Sequence, residues 1–169
     1  MQKIKTALLS YGMSGKVFHA PFIDLHPAFE FLGSWERSQK KIQEDYPNTK
    51  SFESLESILS DKTIDLVIVN TPIESHFEYA KQVLLAGKHA LVEKAFTTTV
   101  AEAQELKRLA KEKGVKLAVF QNRRWDSDFK TVKKVLDENL LGELVEVEIH
   151  FDRYNPILSP KIHKETSNA

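Results

Sequence analysis

Blocks of apolar residues alternate with amphipathic blocks along this chain, and the period switches between them. Residues 4–9 are an apolar run that stops at Ser10-Tyr11-Gly12, the pattern of a buried strand and a turn. Residues 16–25 predict a short helix with Pro21 in it, 29–35 a second strand, and 38–46 a polar helix stopped by Pro47. A short helix over 54–60 turns Leu55, Ile58 and Leu59 inward. The run at 65–69 (DLVIV) does not alternate, so this strand is expected to be buried on both faces. A helix over 74–86 ends at Gly87, and 89–92 is the next strand. Thr99 and Glu102 have the capping-box spacing for a helix that runs to Lys113 and ends at Gly114. Its apolar stripe is Val100, Ala103, Leu106 and Ala110. Residues 116–120 predict another strand, and 128–138 a helix with Phe129, Val132, Val135 and Leu136 on one side. Residues 144–152 alternate strictly: Val145, Val147, Ile149 and Phe151 face one way, Glu146, Glu148, His150 and Asp152 the other. That pattern predicts a strand in need of a sheet partner and a cover.

Alternating strands and helices mean an α/β fold, a doubly wound parallel sheet of the Rossmann type with helices on both faces. Ligands of such sheets bind at the carboxyl ends of the strands, at the switch point. Candidate chemistry is therefore sought at each strand end. After the first strand comes Ser10-Tyr11-Gly12-Met13-Ser14-Gly15, a partial match to the dinucleotide fingerprint with Ser10 in place of its first glycine. Gly12 stands where backbone approaches a pyrophosphate, and Gly15 where helix packs on strand. The second strand ends at Glu36-Arg37-Ser38, about 20 residues beyond the glycines, where an adenine ribose is contacted. A carboxylate there favours the free 2′-hydroxyl of NAD, whereas a guanidinium beside a hydroxyl favours the 2′-phosphate of NADP. The DLVIV strand ends at Asn70-Thr71-Pro72, with His76 a turn into the next helix, where its dipole biases the ring towards neutral. Asn70 and Thr71 could bond a cofactor, or His76 could be a satisfied surface or capping histidine. The strand at 89–92 ends at Glu93-Lys94-Ala95. Lys94 could take a proton from a substrate hydroxyl if its pKa is lowered, or both charges could simply reach solvent.

Composition narrows the classes. The chain has 169 residues, 41% of them hydrophobic, enough for one sizeable core. Its 24 basic and 24 acidic residues give no field to attract nucleic acid. With no cysteine it has no thiol nucleophile and no thiolate zinc site, and no metal is expected. No apolar run is long enough for a signal peptide or a membrane span, so the expected compartment is the cytoplasm.

Taken together, Gly12-Met13-Ser14-Gly15-Lys16-Val17-Phe18-His19-Ala20-Pro21, Thr71-Pro72 with His76, the stretch from Ala86 to Lys94, and Gln121-Asn122-Arg123-Arg124-Trp125-Asp126 resemble the glucose–fructose oxidoreductase and inositol dehydrogenase family (Gfo/Idh/MocA). Similarity is greatest to its NADP-using inositol dehydrogenase branch. The resemblance implies an NAD(P)-binding Rossmann domain over 1–122. It implies that 123–169 is the linking helix and first strand of an incomplete C-terminal domain for substrate and oligomerisation. It further implies NADP as cofactor, with NAD as the other candidate, and hydride transfer at a CH–OH carbon of a sugar or cyclitol in a homo-oligomeric enzyme. Ser10, Gly12, Met13, Ser14, Gly15, Glu36, Arg37, Ser38, Asn70, Thr71, Pro72, His76, Glu93, Lys94 and Asn122 would hold the cofactor, and Lys94 would be catalytic. Ala95 stands where the family usually has proline. The family's catalytic aspartate and histidine belong to the second domain, so the chain is expected to be inactive alone. The competing expectation is a non-catalytic NAD(P)-binding module, which a natural stop after Ala169 would favour. A receiver-like signalling domain lacks its acidic pair at the end of the first strand.

Overall fold

The computed structural model describes residues 2–37, 40–152, 154 and 156. It divides into two compact units, 1–123 and 124–169.

The first unit is a parallel sheet of β1 (Ile4–Leu8), β2 (Phe29–Trp35), β3 (Lys50–Phe52), β4 (Leu66–Val69), β5 (His89–Val92) and β6 (Leu117–Val119). Strand order is β3-β2-β1-β4-β5-β6, so the direction of winding reverses between β1 and β4. Side-chain alternation sends successive residues to opposite faces. Ala7, Leu9, Val67 and Val69 enter one core cluster, with Ile58, Ala80, Val83, Leu84 and Leu106 from the helices. Leu8 and Ile68, in between, enter a second cluster with Ala20, Ile23, Phe31 and Ile42. The two clusters show why the DLVIV run needs no polar side: β4 is covered on both faces.

Helices α1 (Ala20–Leu25), α2 (Ile42–Asp45), α3 (Leu55–Ser60), α4 (His76–Leu85) and α5 (Val100–Lys113) complete the unit. The capping box of α5 is present, and Gly114 ends it with φ 67°. Several expectations are corrected. The helix over 16–25 opens as a wide turn, Gly15–His19, in which the Ala20 N–H reaches back five residues to the Gly15 carbonyl. Pro21, which has no N–H to donate, then sits in the first turn of α1. Of the polar helix over 38–46, the described residues 40–46 hold the single turn α2. β3 was not expected; three residues, Lys-Ser-Phe, are too short to show a period. The helix over 74–86 begins with a tighter turn, Ile73–Ser75, before α4. On α5, Leu109 is buried, while Val100 in the first turn is exposed because the helix start overruns the packed surface.

Gly33 marks a break in register: Thr6 pairs with Phe31, but Ala7 pairs with Gly33, leaving Leu32 as the extra residue of a bulge. Its φ is +138°, a region open to glycine.

In the second unit, α6 (Ser127–Asp137) exposes Phe129, Val132 and Leu136. Residues 144–152 form no strand, contrary to the alternation. A strand exists only through its ladder of hydrogen bonds, and no described segment supplies one; Val145 and Ile149 are correspondingly exposed.

Candidate functional site

The loop after β1 lies at the switch point. Lys16 N–H makes the first helix-type bond, to the Gly12 carbonyl at 2.9 Å, so the N–H groups of Met13, Ser14 and Gly15 lie ahead of the ladder. The two glycines differ. A Cβ on Gly15 would lie 2.4 Å from the Ser10 carbonyl oxygen and 3.0 Å from Asn70 Nδ2, so the protein itself forbids a side chain there. A Cβ on Gly12 would meet only Ser10 Oγ, at an ordinary 3.4 Å. Ser10, in the first-glycine position, accepts the Gly12 N–H on its hydroxyl at 3.2 Å.

Asn70, at the end of β4, is committed to this loop. Its Oδ1 accepts the Ser10 N–H at 3.0 Å and its Nδ2 donates to the Ser10 carbonyl at 2.7 Å. The side chain thus clamps the backbone of the loop, and each of its ends keeps one further hydrogen-bonding site. Thr71 Oγ1 shares a proton with Ser75 Oγ, and Pro72 leads into the tight turn. His76 is 1% exposed. Its Nε2 contacts the Thr71 carbonyl at 2.7 Å and its Nδ1 the Ala95 carbonyl at 2.8 Å. Carbonyls only accept, so each contact asks for an N–H, and a neutral ring supplies one. The ring is a buried tie between the β4 and β5 exits.

A cleft of about 290 Å³ opens between the β1 and β2 exits, lined among others by Ser10, Gly12, Glu36, Arg37, Lys41 and Thr71. Glu36 is turned under its own loop. Its carboxylate accepts the Lys41 N–H at 2.9 Å and the Ile42 N–H at 3.2 Å, with Ser51 Oγ at 3.4 Å. It braces the short turn of α2 from below while still lining the cleft. The Arg37 guanidinium lies 6.0 Å from the Trp35 ring centre. Ser38 lies outside the described residues. Lys41, which the sequence did not single out, adds a second cation to the lining. On the loop's far side, Asp45 accepts bonds from Lys16 at 2.6 Å and Tyr11 at 2.8 Å. These bonds hold its carboxyl below the ordinary range.

The β5 exit carries Glu93 and Lys94, joined to Ala95 by a cis peptide. Glu93 is mostly buried and accepts bonds from Ser14 Oγ at 2.5 Å, His19 Nε2 at 2.9 Å and the Lys94 N–H at 3.1 Å. Burial pushes its carboxyl up, but the bonds from His19 and Ser14 outweigh burial and keep it below the ordinary carboxylate range. His19 is the residue that sequence reasoning missed. It lies inside the quoted motif, but only its 2% exposure and its carboxylate partner reveal its place. Lys94 is exposed, and among the described residues its ammonium has no hydrogen-bond or ion-pair partner.

Structure thus gathers Ser10, Gly12, Glu36, Arg37, Thr71 and Pro72 around one cleft, and ties Ser14 to Glu93 and Lys94. Gly15 and Asn70 shape the loop from behind. Met13 is exposed, and Asn122 opens the short turn after β6 with no bond to the other candidates. Among the described residues no acidic or histidine group could hold a metal ion, and no helix is long and apolar enough to cross a membrane.

Residues 4–121 match the model of the GFO_IDH_MocA family, described as an oxidoreductase family with an NAD-binding Rossmann fold. The chain is 37% identical to the scyllo-inositol 2-dehydrogenase (NADP(+)) IolW of Bacillus subtilis, over 98% of this chain and 46% of that protein. It is 46% identical to the uncharacterized oxidoreductase C115.03 of Schizosaccharomyces pombe, over 91% of this chain and 43% of that one. A crystal structure from Bacteroides fragilis superposes with a TM-score of 0.87 at 49% identity, covering 93% of this chain and 46% of that chain. The chain therefore spans a little under half the length of these relatives.

Proposed function

The chain belongs to the Gfo/Idh/MocA family of oxidoreductases through its NAD-binding Rossmann part, and on that premise we propose that it binds NADP and, in the whole protein, serves oxidation of a CH–OH group on a sugar or cyclitol. The observation that carries the reading is the contrast between the glycines. Gly15 is required by the protein's own packing, whereas Gly12 borders free space, so a bare backbone at Gly12 answers to something outside the chain. The N–H groups of Met13, Ser14 and Gly15 ahead of the helix ladder suit a pyrophosphate. The cleft beside Trp35 and Arg37 suits the adenosine, and the β5 exit with Glu93 and Lys94 suits the nicotinamide end. The bound nicotinamide supplies a hydride acceptor. Lys94, exposed and without a partner among the described residues, would as the neutral amine take the proton of the substrate hydroxyl, becoming the ammonium. Similarity to IolW, a scyllo-inositol 2-dehydrogenase, supports the substrate class. The exposed apolar row on α6 supports self-association of the whole protein.

Calorimetric titration with NADP tests the site. Gly12→Val fills the free space without touching the fold, and affinity is expected to fall about 30-fold, roughly 2 kcal/mol, with an unchanged melting temperature. Equal binding by parent and variant would sink the assignment.

Preference for NADP over NAD rests on the turned-in Glu36 and on two cations, Arg37 and Lys41, at the same cleft. The backbone N–H groups that Glu36 accepts draw its carboxylate towards α2 and offset part of its charge. Arg37→Ala is expected to lower the NADP-to-NAD affinity ratio about tenfold through loss of a charge-assisted bond. A ratio that stays put in the variant rejects the preference.

A further inference from the structure

Glu93 is a carboxylate at the end of a strand whose preceding residue, Val92, is fully buried. Such a group is held only where donors replace its water. Its donors come from three places: Ser14 from the glycine loop, His19 from the wide turn behind that loop, and the backbone of Lys94 from its own exit. The His19 ring is itself wedged against Phe120, 4.4 Å between ring centres, just after β6. One buried ring thus bears on β6 with one side and on the Glu93 carboxylate with its Nε2. Through that carboxylate, the glycine loop and the Lys94 backbone are joined. The wide turn is what aims the ring. His19 is its last residue, two before Pro21 in the first turn of α1.

We propose that His19 is a positioning residue for the nicotinamide end of the dinucleotide: it fixes the Glu93 carboxylate, and through it the Lys94 backbone, against the glycine loop. The proposal rests on the NADP reading above. It separates from a merely structural role because the adenosine cleft, lined by Trp35, Glu36, Arg37 and Lys41, contains none of the three linked residues. Loss of the His19 donor is therefore felt at one end of the ligand only.

The test compares two ligands on the 169-residue chain by calorimetry. One is NADPH; the other is adenosine 2′,5′-bisphosphate, which fills the adenosine end and has no nicotinamide. His19→Phe keeps a ring against Phe120 and removes the donor; His19→Gln restores a donor. In His19→Phe the affinity for NADPH is expected to fall about tenfold, the loss of a bond to a charged group, while the bisphosphate binds as before. His19→Gln is expected to recover most of the loss. The Lys94 amide resonance, read by NMR without ligand, is expected to move in the Phe variant and to return towards the parent position in the Gln variant. Should the Phe variant not fold, His19→Asn, polar but too short to reach the carboxylate, takes its place. Parental binding of both ligands by the donor-less variant, or an unmoved Lys94 amide, overturns the role alone. Failure of the parent to bind either ligand overturns the NADP reading and this role with it.

Discussion

Gly33→Ala is expected to cost this chain about 4 kcal/mol, the sum of an overpacking and a backbone-strain penalty at one residue. An added Cβ would stand 1.9 Å from the Lys50 carbonyl oxygen and 2.7 Å from the Lys50 nitrogen. Those atoms belong to β3, paired with Gly33 in the ladder, so neither can give way without opening the sheet edge. The φ of +138° adds strain that no movement of the neighbour removes. Domains of this size melt lower by about 2–4 °C per kcal/mol, so a drop of roughly 8–16 °C is expected, or loss of soluble protein. Gly114→Ala is the matched control. It shares a positive φ, 67°, but nothing lies within 4 Å of its Cβ, and a cost of about 1 kcal/mol is expected from the left-handed backbone alone. Melting curves of the two variants, followed by circular dichroism, decide the matter. A Gly33→Ala chain that melts with the Gly114→Ala control would show that the bulge relaxes and that the clash is not real.

The same bulge illustrates what was legible in the sequence. Period and capping residues are local, and they located β2, β5 and α5 to the residue. Nothing local announced that Gly33 faces a third strand, because β3 itself has only three residues and no period. At the site the division is alike. Gly12, Gly15, Arg37 and the β5 exit were legible because the fingerprint and strand ends are matters of order along the chain. The partners of Glu36 and Asn70 were not legible, because a sequence does not show which backbone groups a polar side chain will meet. In the structure, Glu36 accepts two backbone N–H groups and Asn70 bonds both the N–H and the carbonyl of Ser10. His19 and Lys41 were missed for a related reason. Histidine and lysine are common in loops, and only the approach of Glu93, from 74 residues away, and of the β1 exit gives them partners or a cleft. Residues 144–152 show the limit of periodicity: alternation states which faces a strand would have, but only a neighbouring strand makes it one.

His76→Ala is expected to destabilise the chain by about 3 kcal/mol, because a fully buried ring is removed and with it the ring's hydrogen bonding to two buried-side carbonyls. The Thr71 and Ala95 carbonyls, 2.7 and 2.8 Å from the two ring nitrogens, lie on the β4 and β5 exits. Water could replace the ring only by entering a space sealed at 1% exposure. Asn70, next to Thr71, also clamps the glycine loop, so slack at the β4 exit is passed to Ser10. The variant is therefore expected to lose affinity for NADP as well as stability, unlike Gly12→Val, which loses affinity alone. His76→Gln separates the parts. Its amide supplies donors from one end only, so it is expected to recover some of the packing and one of the two ties, and to melt between parent and His76→Ala. Denaturant midpoints of the three proteins, with calorimetry at a temperature where all are folded, read both quantities. A His76→Ala chain within 1 kcal/mol of the parent, binding NADP as tightly, would mean that the two exits are held by their strands and that the ring merely fills space.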